Sequence, residues 1–197
     1  MKKIIILACL ATAVSMTTST AMADSIKGKL GVSAKVGLLI PANNDSDFYH
    51  NKTDAGFVGG AGLIYGLDNN FAAEFDVTRT SFGSETGDFG VTDVSFGGQY
   101  RFINVHRQLV PYVGAGVDIL FSDYEPNNGA TRNVDSTVGM HISGGVDYFL
   151  QKQLALSAEV KAVIAPDTDI NDGNGVHRGN FDPSSFSTTV GIRYFFN

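Results

Sequence analysis

The sequence predicts an all-β chain, an eight-stranded antiparallel up-and-down transmembrane β-barrel, and three observations predict it. Eight stretches alternate apolar and polar residues with a period of two, which puts successive side chains on opposite faces of a strand. The connections between these stretches alternate between short and long. Bulky aromatics of the apolar face gather at the short-turn end as Tyr65, Phe71, Tyr100, Phe102, Tyr148, Tyr194 and Phe196, where an interfacial girdle belongs.

The stretches follow in order. The first runs from Ser25 to Ile40, with Ile26, Leu30, Val32, Ala34, Val36, Leu38 and Ile40 on one face and Lys27, Lys29, Ser33 and Lys35 on the other. The second, Thr53 to Leu67, sets Phe57, Ala61, Leu63 and Tyr65 against Asp54, Gly60, Gly62 and Gly66. The third, Asn70 to Thr80, sets Phe71, Phe75 and Val77 against Glu74 and Asp76. The fourth, Phe89 to Phe102, sets Val94, Phe96, Tyr100 and Phe102 against Ser95, Gln99 and Arg101; its first residues are out of phase, as at a bulge or in a strand running past the membrane,. The fifth, Leu109 to Phe121, sets Val113, Val117 and Ile119 against Tyr112, Gly116 and Asp118. The sixth, Ser136 to Leu150, sets Val138, Ile142 and Tyr148 against His141, Ser143 and Asp147. The seventh, Gln153 to Ile164, sets Leu154, Leu156 and Val160 against Ser157, Glu159 and Lys161. The eighth, from Ser185, sets Phe186, Val190, Ile192, Tyr194 and Phe196 against Thr189, Gly191 and Arg193.

Short turns follow the second, fourth and sixth stretches, at Asp68-Asn69, Ile103 to Gln108 and Gln151-Lys152. Longer polar loops follow the others, near 41–52, 81–88, 122–135 and 165–184. That is the layout of an outer-membrane barrel, and an even strand number leaves both chain ends on the short-turn side.

The N-terminus reads as export. Lys2 and Lys3 precede an apolar run from Ile4 to Val14, and Ala21-Met22-Ala23 is a small-x-small cleavage site. Residues 1–23 are a secretory signal peptide, leaving a barrel domain at 24–197,. Cys9 lies within the leader, and cleavage there would leave too short an apolar region,. The mature chain therefore carries no thiol chemistry. No later apolar run approaches the ~20 residues of a membrane helix.

Removing Lys2 and Lys3 from the 14 basic residues leaves 12 against 20 acids, a net charge of −8. An acidic exported chain is a poor partner for nucleic acid. The polar strand faces carry Lys27, Lys29, Lys35, Arg101, Lys161 and Arg193 against Asp54, Glu74, Asp76, Asp118, Asp147 and Glu159, a balanced set of ion pairs across a narrow lumen,. The long loops hold the surplus of acids. A secreted sandwich or lipocalin-like barrel would show the same periodicity. Against it stand the glycine-rich polar face, the aromatic girdle and the aromatic end of the last strand.

The inward glycines have two readings, a small conduit or room for long charged side chains. Asp167-Thr-Asp169-Ile-Asn171-Asp172-Gly173 places oxygens at alternate positions as a calcium loop does,. Its glycine is one place late, and Arg178 stands where a bidentate Glu belongs, so a solvated acidic loop explains it better. His141, Ser143 and Asp147 share one strand face, but i and i+2 lie ~7 Å apart, too far for a catalytic relay. No catalytic, cofactor or metal site is expected.

A resemblance emerges in the second half. Val110-Pro-Tyr-Val-Gly-Ala-Gly-Val-Asp118, Gly144-Gly-Val-Asp-Tyr-Phe-Leu150 and Phe181-Asp-Pro183 leading into Gly191-Ile-Arg-Tyr-Phe resemble the OmpW family of small outer-membrane barrels. Gly66-Leu-Asp-Asn-Asn-Phe-Ala-Ala-Glu74 is similar to the first turn of many eight-stranded barrels. Val91-Thr-Asp-Val-Ser-Phe96 stands where that family often has Pro-Pro, there is no tryptophan, and Phe196 is penultimate. OmpA- and OmpX-like barrels therefore stay open. The resemblance implies residence among outer-membrane lipids and insertion by the barrel assembly machinery through the C-terminal strand. It also implies one of two roles: a conduit or cavity for small hydrophobic solutes, or a non-transporting barrel that meets a surface ligand through its acidic loops. No gate residue carries over.

Overall fold

The computed structural model describes residues 25–42, 44–46, 49–51, 55–84, 87–103, 108–126, 132–133, 136–171 and 177–196. The leader at 1–23 and Asp54 lie outside them. The strands are β1 (Leu30–Pro41), β2 (Asn44–Ser46), β3 (Tyr49–Asn51), β4 (Gly56–Gly66), β5 (Phe71–Ser84), β6 (Gly87–Arg101) and β7 (Leu109–Pro126). They continue with β8 (Arg132–Asn133), β9 (Thr137–Phe149), β10 (Leu154–Ile164), β11 (Thr168–Asn171), β12 (His177–Phe181) and β13 (Ser185–Phe195).

Eight of these close into a barrel. The sheet order is β6-β5-β4-β1-β13-β10-β9-β7, and β6 also pairs β7, so no strand edge is left over to meet lipid,. Every pairing between these strands is antiparallel. Starting at Ser81, the registered partners around the wall are Phe57, Leu38, Thr188, Val160, Gly144, Val113 and Tyr100, and the walk returns to β5 at Phe71. The offset from Ser81 to Phe71 is a shear of ten residues over eight strands. With ~3.3 Å per residue and ~4.8 Å between strands, that shear tilts the strands by about 40°. A wall of this size has an interior just wide enough for side chains to fill or for one small ligand.

The apolar faces point outward. Leu38, Phe57, Phe96, Met140, Ile142, Ile164 and Val190 are each about half exposed or more, whereas the residues alternating with them are largely buried inside. This is the inverse of a soluble sandwich, and it is stable only with lipid around it. The seven girdle aromatics, Tyr65 to Phe196, all point outward at the short-turn end. Phe71 packs edge-on against Tyr100, Tyr100 against Phe102, and Tyr194 against Phe196, with centroids 5.0–5.3 Å apart.

At the opposite end the outward row of β5 turns polar after Val77. Arg79 forms a forked pair with Asp123 on β7, 2.8 and 3.0 Å long, and donates to Thr92 on β6 at 2.8 Å. Gly90 lies beneath, where any Cβ would collide with that fork. The pair reaches up along the wall from Arg79, as a long cation does at a headgroup boundary.

Three sequence expectations change. The first strand begins at Leu30, not Ser25, because Gly28 takes a left-handed φ of 72° and the Lys29 N–H closes a turn onto the Ile26 carbonyl at 2.9 Å. The turn shifts the alternation, so Ile26 is buried inside and Lys27 is exposed outside. The fourth stretch contains no bulge: β6 keeps one register against β5 and β7 throughout. Its out-of-phase Val91 simply faces inward. The described parts of the long connections are largely strand: β5 and β6 run on to Ser84 and Gly87, β2 pairs β3, and β11 pairs β12.

Candidate functional site

The lumen is built in tiers. At the short-turn end Ile26, Ile64, Ala72, Val110, Phe149, Ala155 and Phe195 form an apolar plug, and Phe149 stacks on Phe195 at 5.8 Å and 22°. The plug arises from doubled aromatics. Tyr148-Phe149 and Tyr194-Phe195-Phe196 give both wall faces a ring at the same level. The aromatic run was the available signal for it, and a reading confined to the outward face passes over Phe149 and Phe195.

Above the plug lies a cross-barrel ion network. Arg193 of β13 bonds Asp147 of β9 at 3.1 and 3.2 Å and Glu74 of β5 at 2.8 Å, and lies 3.8 Å from Glu159 of β10. Arg101 of β6 meets Asp147 at 2.7 Å. Gln99 donates to Glu74 at 2.5 Å and accepts from Arg101 at 3.3 Å. The Tyr112 hydroxyl donates to Glu159 at 3.0 Å, and its ring lies 4.8 Å below the Arg193 guanidinium,. Lys35 of β1 holds Asp76 at 2.9 Å and Glu159 at 3.3 Å.

Room for this network comes from glycine. A Cβ on Gly62 would strike the Asp76 carboxylate opposite it in register, and one on Gly145 would strike the Tyr112 hydroxyl. At Gly62 and Gly145 the space left by the glycine is taken up by a side chain of the facing strand, Asp76 and Tyr112 respectively.

A third tier sits higher. Lys161 bridges Asp93 at 2.8 Å and Asp118 at 2.6 Å, and His141 Nδ1 meets Asp118 at 2.7 Å. His141 is thus tied to Asp118 across the sheet, not to Ser143 or Asp147 on its own strand. Above this tier, nearer the long-loop end, lies a cavity of about 40 Å³ whose wall mixes Leu39, Pro41, Val58, Val91, Leu120 and Val163 with Thr78, Thr80, Ser185, Ser187 and Thr189. Its floor is Lys35, Asp76, Asp93, Glu159 and Lys161.

The charge count departs from the sequence expectation. Lys27 is outside the barrel, Lys29 sits at the short-turn end apart from the network, and Asp54 falls outside the described residues. Asp93 joins the interior instead. Lys35, Arg101, Lys161 and Arg193 then face Glu74, Asp76, Asp93, Asp118, Asp147 and Glu159. Among the described side chains that form these ion pairs, four cations meet six carboxylates. The parity of Asp93 with Ser95 was the signal for this residue, obscured by treating the start of that strand as out of phase. Of the acidic 167–173 segment, residues 172 and 173 lie outside the described residues, and no group of three metal-binding side chains occurs among those described.

The comparisons agree with this architecture. The crystal structure of OprG from Pseudomonas aeruginosa superposes with a TM-score of 0.71 at 15% identity, covering 89% of this chain and 99% of that one. Neisserial surface protein A gives 0.66 at 16% identity, over 86% and 98%. AlkL, solved in lipid bilayers, gives 0.60 at 18% identity, over 93% and 96%. Among curated proteins, none matches the chain by sequence. The family model described as an outer membrane protein beta-barrel domain matches residues 7–194. The chain belongs to that outer-membrane β-barrel family and is an integral protein of the outer membrane.

Proposed function

We propose that this protein is a sealed, non-catalytic barrel that acts at its outer end, anchoring its acidic loops at the cell surface as an envelope-stabilising or ligand-meeting element. One observation carries the reading: the described lumen is closed twice in series, by the apolar plug and by the Arg101–Asp147–Arg193–Glu74 network. An ion crossing it would have to break the Arg101–Asp147 and Arg193–Asp147 pairs, whose members are exposed by about 1% or less, and shed its own hydration, which costs several kcal/mol per ion. Export with removal of residues 1–23, and assembly by way of the C-terminal strand that pairs with β1, belong to the same proposal.

The test is single-channel recording of the refolded mature protein in planar bilayers. A folded, heat-modifiable barrel that stays electrically silent supports the seal. Discrete openings overturn it and favour the conduit.

A second reading has its own support. A barrel that only anchors loops has no need of a cavity above a charged floor, here lined in part by Leu39, Val58, Val91, Leu120 and Val163. Its presence favours a small-solute binding site, entered from the outer end and closed below.

A further inference from the structure

The upper cavity is bordered by two kinds of hydrogen-bonding group. Its charged groups are committed to one another or to their neighbours. Lys35 holds Asp76 Oδ2 and Glu159 Oε1, Tyr112 holds Glu159 Oε2, and Lys161 holds Asp93 Oδ2. The other carboxylate oxygens, Asp76 Oδ1 and Asp93 Oδ1, are sealed from the enclosed space, Asp76 Oδ1 against Gly62. The hydroxyls of Thr78, Thr80, Ser185, Ser187 and Thr189 are uncommitted. All five residues line the cavity, and none of the hydroxyls has a hydrogen-bond partner in the structure. Thr80 and Thr189 are only 3% and 6% exposed, yet neither hydroxyl is among the sealed polar atoms. These hydroxyls therefore keep access to the enclosed space, and a buried polar group without a partner is costly.

The five hydroxyls come from two strands, β5 and β13, with β4 and β1 between them. In register with Thr78 and Thr189 those intervening strands carry Gly60 and Gly37, which add no side chain over the hydroxyl rows. The strands beyond supply an apolar cluster, in which Val91 packs against Leu120 and Val163. We propose that this cavity binds a small uncharged polyol of two or three carbons. A hydroxyl both donates and accepts, so a polyol satisfies whichever wall hydroxyl it meets, while its C–H edges lie against Val91, Leu120 and Val163. An ion gains less, because it reaches no floor carboxylate oxygen or ammonium that lacks a partner. The roughly 40 Å³ of space equals about three waters, which suits a short chain with its hydroxyls. The proposal rests on the second reading above, a small-solute cavity, and names the class of solute.

The test uses the refolded mature protein in phosphocholine micelles free of polyol, read by amide chemical shifts of the cavity-lining residues. The probes are ethane-1,2-diol, 1-propanol, acetate and propylammonium, which are alike in size and differ in hydroxyl count and charge. The expected result is saturable binding of ethane-1,2-diol at least tenfold tighter than 1-propanol, since a site built to bond a hydroxyl rejects the analogue that lacks it. Acetate and propylammonium are expected not to saturate. Thr80→Val and Thr189→Val, close to threonine in shape, are each expected to weaken ethane-1,2-diol at least fivefold and leave 1-propanol unchanged. Neither hydroxyl bonds the protein, so both variants should keep the gel mobility shift of the folded barrel, and the series on the unaltered protein needs no variant at all. Binding of 1-propanol as tight as that of ethane-1,2-diol would overturn hydroxyl recognition and leave a small-solute cavity standing. Equally tight binding of either charged probe would overturn selection for an uncharged solute. Ethane-1,2-diol affinity unmoved by both variants would place the bound diol elsewhere and overturn the site. No saturable shift with any probe would overturn the polyol and the cavity reading together, and leave the sealed barrel.

Discussion

Arg193→Gln should be the most damaging single change to the interior. Arg193 is 1% exposed and touches Asp147, Glu74, Gln99 and the Tyr112 hydroxyl from one guanidinium. Its loss leaves Asp147 with Arg101 alone and Glu74 with only the Gln99 amide. It also raises the surplus of interior carboxylates from two to three. Removing one partner of a buried pair costs about 3–5 kcal/mol. Because Asp147 and Glu74 each keep one contact, the lower end applies, near 3 kcal/mol, or about two powers of ten in the unfolding equilibrium. Urea titration in lipid vesicles, scored by gel mobility, reads this directly. With a slope of about 2 kcal/mol per molar, the midpoint should fall by about 1.5 M. Asp147→Asn lowers the surplus from two to one and should cost less, although Asp147 is the more buried residue. A midpoint shift below about 0.5 M for Arg193→Gln would refute the argument. So would a larger loss for Asp147→Asn, because charge balance would then not govern the interior.

Three further outcomes follow from other parts of the barrel. Gly145→Val should cost about 1–3 kcal/mol, since the added carbons meet the Tyr112 hydroxyl, which is fixed by Glu159 and Arg193, and the backbone carbonyl of Ala158; a folding yield and urea midpoint equal to the parent would refute it. Val160→Arg, on the lipid face near mid-depth of β10, should cost about 2–4 kcal/mol, and Ile164→Arg, at the last residue of the strand, about 0–1; equal effects would mean that the exposed apolar face is not graded by membrane depth. Asp68 sits in the first short turn and accepts from the backbone N–H groups of Phe71 and Asn70, both at 2.7 Å. Those bonds hold its carboxyl below its ordinary value of 3.8. Its folded value being the lower one, the turn is supported at pH above 3.8 and loses that support as pH falls through the lowered value. Carboxyl carbon shifts across pH 2–6 check it, and a midpoint at or above 3.8 would refute it.

The outward half of this barrel was legible because lipid imposes one rule on every strand. Alternate residues must be apolar, and Phe57, Val117, Ile142 and Val190 all obey it. The inward half follows no single rule, because three environments succeed one another along each strand. On β10 they are Ala155 in the plug, Glu159 in the network and Val163 beside the upper cavity, three inward residues in steps of four. Parity identifies all three as inward but not which environment each occupies. Shear decides that, and shear is a property of pairings between strands remote in sequence. Lys27 was misplaced for a local reason, the left-handed Gly28, whose turn resets parity before the first barrel strand. Ile64 and Val91 carry a more general lesson. Each is apolar at a position off the outward parity of its strand, and each lines the interior, Ile64 in the plug and Val91 beside the upper cavity. In a barrel of eight strands, an apolar residue off the outward parity therefore marks a level of the lumen outside the ion pairs. Here those residues bracket the charged tiers from below and above.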